Sequence, residues 1–147
     1  MSGLIRNSIS LLIYFICVST QTSSAAPPKK EFYQIRIYTM KSNDQLLSID
    51  NYLKDAFLPA LHRAGIKKIG VFKPVSNDTA AVKSVYVFIP FDSEKTFFKL
   101  DKKLRKDATY MTASKSFREA SSANPPFDRM ESMLLEAFEN QKNFIAK

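Results

Sequence analysis

Residues 31–40 read E-F-Y-Q-I-R-I-Y-T-M, and their alternation decides the fold. In an extended chain, successive side chains point to opposite faces. Tyr33, Ile35 and Ile37 share one face, which reads as ordinary core. Phe32, Gln34, Arg36 and Tyr38 share the other. Two aromatics, a guanidinium and an amide are an unusual set for a face washed by solvent. That face is expected to floor a cleft or to meet another subunit.

A helix start follows. Ser42 is a natural N-cap, Gln45 can close a capping box, and Asp44 suits the positive end of the helix dipole. Leu46, Ile49, Leu53 and Phe57 recur at helical spacing and give one apolar face. Pro59 has no N–H and is expected to bend the helix late in its course. Gly65 is the expected stop, with His62 and Arg63 in the last turn. Residues 66–74 read as strand two, residues 75–81 as a loop and residues 83–91 (K-S-V-Y-V-F-I-P-F) as strand three. Val85, Val87 and Ile89 lie on one face of that third strand, Tyr86 and Phe88 on the other, so it needs cover on both sides.

Asp92-Ser93-Glu94 opens a second helix, with Phe97, Leu100 and Leu104 as its buried stripe. Lys102, Lys103, Arg105 and Lys106 crowd its end, as a solvated face compensating the helix dipole would have them. Residues 107–128 are polar and irregular, with one helical piece expected around residues 113–120. They carry Tyr110, Met111, Phe117 and Phe127, which a pure linker would not need. That segment is expected to dock on the domain and close one end of it. Residues 129–139 read as strand four. The order β-α-β-β-α-β, with right-handed crossovers, gives a ferredoxin-like α+β fold. Both helices then cover one face of a four-stranded antiparallel sheet, with strands one and three in the middle. Tyr38, Tyr86, Phe88 and Phe72 are expected on the uncovered face. An exposed aromatic face of that size calls for a partner.

Length and composition set the bounds. The chain has 147 residues, one domain's worth. Residues 1–26 have the three-part layout of a secretory signal peptide: Arg6, an apolar run over residues 9–18, and a small-residue end at Ser24-Ala25-Ala26. The run falls short of the ~20 apolar residues that span a bilayer, so no stable membrane anchor is expected. Residues 27–30 are a short leader and residues 140–147 a tail, which leaves residues 31–139 as the domain. A chain of that length buries roughly 60–70% of its unfolded surface and needs no staple. Cys17, the sole cysteine, would leave with the signal, and disulfide and thiolate chemistry with it. Net charge is +8, one less after loss of Arg6. This is too moderate and too dispersed to imply nucleic acid as a partner. The expected location is periplasmic or extracellular.

Four stretches together carry a resemblance. Q-I-R-I-Y-T-M (34–40), F-L-P-A-L-H-R-A-G (57–65), I-K-K-I-G-V-F (66–72) and N-P-P-F-D-R-M-E-S-M-L-L-E-A-F (124–138) resemble, in that order, the NIPSNAP domain of exported bacterial proteins. The resemblance covers about residues 31–139. It implies a dimeric α+β barrel, two ferredoxin-like sheets packed face to face, as a homodimer or with a second NIPSNAP-like domain. Similar exported proteins often carry two copies, so this chain reads as a single-domain or truncated form. The resemblance implies no established activity. Neighbouring barrel families include cofactor-independent monooxygenases, small isomerase-like enzymes and haem-handling proteins.

Candidate chemistry is sparse. Arg36 and Tyr38 lead: a guanidinium anchors a carboxylate or enolate oxygen, and a phenol donates to a developing oxyanion. The competing reading is an interface contact. His62 is the single histidine, and a dipole-compensating role suits its place in a last turn. Arg36, Tyr38, Phe72, Tyr86 and Phe88 would line a barrel interior that takes a small apolar or aromatic molecule. Glu131 and Glu136 have opposite parity on strand four, so only one faces the barrel. Asn77-Asp78-Thr79 fits a glycosylation sequon, a short pattern that arises by chance. With one histidine and a cysteine confined to the leader, no metal site is expected. Three glycines in the whole chain leave no nucleotide loop, and no cofactor is expected. Two functions stand: a binding or assembly module, or a cofactor-independent oxygenase or isomerase.

Overall fold

The computed structural model describes residues 30–138. The expected signal peptide (1–26), most of the leader and the tail (140–147) lie outside the described residues. Strand β1 runs Phe32–Met40, β2 Gly70–Phe72, β3 Lys83–Phe91 and β4 Arg129–Glu136. They form one antiparallel sheet in the order β2-β3-β1-β4, with β1 and β3 central. This is the ferredoxin-like α+β arrangement expected from the sequence.

Helix α1 (Asn43–Tyr52) starts at Ser42, whose side chain accepts from the Gln45 N–H. Gln45 reaches back to the Lys41 N–H at 2.9 Å, one residue upstream of a standard capping box. The helix then widens into a π turn at Leu53–Phe57 and resumes as α2 (Leu58–Arg63). The widening sits directly before Pro59. There the Leu58 N–H bonds the Leu53 carbonyl, five residues back, as the ladder approaches the missing proline donor. Gly65 ends α2 at φ 94°, with Gly65 N–H bonded to His62 O and Ile66 N–H to Leu61 O. That is a Schellman cap, and it takes Ile66 out of strand two. The expected strand over 66–74 is accordingly cut to three residues.

Helix α3 (Glu94–Lys106) is capped by Ser93 and ends at Asp107. The following segment is more helical than its polarity suggests, and its helix begins earlier than expected. Asp107 caps a new helix, α4 (Ala108–Ala113), by accepting from the Tyr110 N–H at 2.9 Å, and Arg63 grips the same carboxylate at 2.8 Å. A last short turn, α5, covers Lys115–Arg118. Tyr110 is buried, and Met111, Phe117 and Phe127 pack against the core. Phe117 stacks on Tyr52 at 3.8 Å between ring centroids.

The core lies between the sheet and α1–α4. Val85, Val87, Ile89 and Phe91 present one face of β3, and Ile49, Leu53, Phe57 and Leu61 meet it from the helices. Each such side chain contributes about 1.5–3 kcal/mol on burial. The faces of β1 are exchanged relative to the expectation from the sequence. Gln34, Tyr38 and Met40 are buried on the helix side, while Tyr33, Ile35 and Ile37 look to the open side. Alternation favours the Tyr33, Ile35 and Ile37 face as core because it is the more apolar, and that choice is wrong. The β1–β3 register chose, by pairing Arg36 with Val87, and Ile35 and Ile37 with Phe88 and Tyr86.

Candidate functional site

The sheet presents two surfaces of different chemistry. On the open side, Tyr33 stacks on Phe88 at 5.2 Å. Tyr86 and Phe72 sit opposite one another in register, and Phe72 is 60% exposed. Met133 and Leu135 of β4, partners of Ile35 and Tyr33, extend the same apolar face.

On the helix side, the helices cover β3 and β1 but leave β4 bare along its whole length. The gap between β4 and α3 is a cleft of about 330 Å³. Gln34, Arg36 and Ser132 supply its polar lining, Phe97, Phe98 and Met130 its apolar walls, and Asp101 an exposed carboxylate at its rim. The Arg36 guanidinium lies 4.7 Å over the Phe57 ring, a cation–π contact made by a side chain of the π turn. Gln34 is 3% exposed and donates from Nε2 to Ser132 Oγ at 2.7 Å. Gln34 Oε1 and Arg36 Nε are both buried without a hydrogen-bond partner.

The expected site residues are therefore divided. Arg36 lines the cleft. Tyr38 shares its side of the sheet but is not among the lining residues; it packs edge-on against Phe127 at 5.7 Å. Burial pushes the Tyr38 phenol up, and Arg36 beside it partly offsets this. Phe72, Tyr86 and Phe88 lie on the opposite surface, so one protomer does not bring the five expected residues into one pocket. The period of two along a strand is the reason: Tyr38 pairs with Val85, while Tyr86 and Phe88 point the other way. His62 stays exposed in the last turn of α2 and is not among the residues that line the cleft. Glu131 faces the open side opposite Ile37, and Glu136 pairs with Phe32 and bridges to Lys30 at 2.9 Å. The sequon's Asn77 is buried and accepts from the Ser84 N–H at 2.7 Å, which leaves no room for a glycan. Among the described residues, no cluster of His, Cys, Asp or Glu could hold a metal, and no helix is long and apolar enough to cross a membrane. The site residues expected from the sequence do not include Gln34, Ser132 or Asp101. Gln34 stands out in the sequence only as part of the Arg36 face, while Ser132 depends on the β1–β4 register and Asp101 on how α3 docks.

The fold and the two surfaces define a ferredoxin-like α+β domain with one sheet face that no described helix covers. Among solved structures, it is similar to a NIPSNAP family protein of unknown function from Agrobacterium tumefaciens (14% identity, 75% of this chain and 90% of that one, TM-score 0.56). It is also similar to an uncharacterised NIPSNAP-like domain protein from Burkholderia xenovorans (13% identity, 73% and 84%, TM-score 0.53). A third is a dimeric ferredoxin-like protein from an uncultured marine organism (10% identity, 80% and 94%, TM-score 0.53). At such identities the likeness is one of fold. No protein-family model and no curated protein matches the sequence.

Proposed function

We propose that this chain is an exported NIPSNAP-like module that dimerises through its open sheet face and binds a small molecule in the cleft on the other side. The observation that carries it is the open face itself: Tyr86, Phe72, Met133 and Leu135 are exposed apolar side chains on a sheet face that no described helix covers. A second copy packed sheet to sheet would cover it, and a stable pair buries at least ~1,200 Å². The dimeric marine neighbour supports this reading. Sedimentation tests it: the natural sequence runs as a dimer, and Phe88→Lys, which buries a charge at the centre of the contact, runs as monomer or aggregate. A Phe88→Lys protein that remains a stable dimer overturns that surface. Export rests on residues 1–26, and N-terminal sequencing of the natural protein is its test. A start near Pro27 supports it; an intact Met1 on a soluble cytoplasmic protein overturns it.

A second reading, a cofactor-independent oxygenase or isomerase, has one observation in its favour: an open cleft that reaches Arg36. In that reading the guanidinium would hold an enolate oxygen. Tyr38 would have no part, because it does not line the cleft. Turnover of an enolisable aromatic substrate that Arg36→Met abolishes would decide for it.

A further inference from the structure

We propose that the cleft between β4 and α3 is a site for a small monocarboxylate with an apolar, ring-sized body and a hydrogen-bond donor next to the carboxylate. This rests on the reading that the module binds a small molecule, and it names the chemical class. Three observations carry it.

The first is an unanswered charge. A guanidinium is protonated at every accessible pH and is costly to bury alone. Among the described residues, no carboxylate lies within ion-pair distance of Arg36. Its guanidinium packs over the Phe57 ring and lies beside the neutral Tyr38 hydroxyl, and its Nε has no acceptor. A carboxylate supplies both the charge and the acceptor in a geometry that suits the guanidinium fork.

The second is an unanswered acceptor. Gln34 is almost fully buried, its amide nitrogen is committed to Ser132, and its Oε1 is unpaired. Buried amide oxygens are ordinarily satisfied. A hydroxyl or amine beside the ligand's carboxylate fills this need, while a simple carboxylate, having only acceptors, does not.

The third is the wall chemistry and the rim. Phe97, Phe98 and Met130 surround the polar floor, and Phe98 is 67% exposed. The volume of about 330 Å³ suits a molecule of one ring and a short chain. Asp101 at the rim repels a second negative charge, which disfavours dicarboxylates and phosphate esters.

The test uses 3-phenyllactate, its methyl ester and phenylsuccinate as probes, with ligand-observed NMR and titration against the full mature protein. The expected result is that phenyllactate binds, and that the ester and the dicarboxylate bind at least tenfold more weakly. Arg36→Met should weaken phenyllactate by at least tenfold, the scale of a lost charge-assisted bond. Because Arg36 packs on Phe57, a second variant guards against misfolding. Asp101→Asn changes an exposed residue and should narrow the gap between dicarboxylate and monocarboxylate by about threefold. If ester and acid bind equally and Arg36→Met changes nothing, the carboxylate class is overturned while small-molecule binding stands. If no probe binds, the proposal is overturned. Native mass spectrometry of protein from its own host then decides the wider reading: a retained neutral molecule keeps it, and no retained mass removes it as well.

Discussion

The hydroxyls of Tyr52 and Tyr110 meet at 3.1 Å inside the protein, joining α1 to the segment that follows α3. Both rings are buried, and Tyr52 also stacks between Phe57 and Phe117. Removing one hydroxyl leaves the other buried without a partner. Tyr110→Phe should therefore cost about 1–3 kcal/mol, while the double change with Tyr52→Phe should be nearer neutral. Chemical denaturation of the two single variants and the double variant checks this. Simple additivity would mean that the pair is not coupled.

Tyr52 also sets an alkaline limit. Burial raises the Tyr52 phenol far above its ordinary value of 10.0, with Tyr38 and the Tyr110 bond adding to the effect. Burial raises Tyr38 as well. A phenol that is harder to ionise in the folded state contributes stability that is present below pH 10.0 and declines as pH rises above it. The unfolding midpoint should fall steeply above that pH, with tyrosinate absorbance from these residues appearing together with unfolding. Tyr52→Phe should flatten the decline; a midpoint independent of alkaline pH would contradict it.

Lys83 and the loop before it form a small cage. Its ammonium is buried at the start of β3 and donates to the carbonyls of Asn77, Asp78 and Ala80 at 3.0–3.1 Å. Three such bonds fold residues 77–80 around the charge, and Asn77 Oδ1 holds the Ser84 N–H. Lys83→Met keeps the aliphatic stem but orphans the carbonyls, at a cost of about 2 kcal/mol. Hydrogen exchange should become faster at Ser84 and through the loop, and remain unchanged in α3. Equal protection in both proteins would show that the loop holds its shape without the charge.

Gly65 is the clean test of the helix stop. Its φ of 94° is a left-handed conformation, and a Cβ built there meets nothing within 4 Å. The penalty of Gly65→Ala is then backbone strain alone, about 1–2 kcal/mol. Thermal denaturation should show that loss with no change in oligomeric state. A neutral substitution would mean that the chain leaves α2 by another route.

The segment after α3 should behave as part of the core. Tyr110 is buried and Phe117 is sandwiched against Tyr52. Amides of α4 should exchange as slowly as those of β3, and Phe117→Ala should speed them while costing about 2–3 kcal/mol. Fast exchange through α4 in the unaltered protein would refute this packing.

Local chemistry made much of the fold legible in the sequence. The alternation of β1 and β3, the Ser42 and Ser93 caps and the Gly65 stop are short-range features, and each element lies where they placed it. The element order then left the ferredoxin-like arrangement as the economical topology. Three things were decided by tertiary contact. The first is which face of β1 is covered: Gln34, Arg36 and Tyr38 alternate with Tyr33, Ile35 and Ile37, the second set is the more apolar yet faces the open side, and only the helices' position reveals this. The second is the helical start of the segment after α3, where Asp107 gains a partner, Arg63, 44 residues away. The third is the cleft. Arg36 was visible as an odd residue on a strand, but its neighbours Ser132 and Asp101 are brought in by strand register and helix docking. A period of two shows which residues share a side. It carries no information about which side the rest of the chain will cover, because that depends on contacts between residues far apart in sequence.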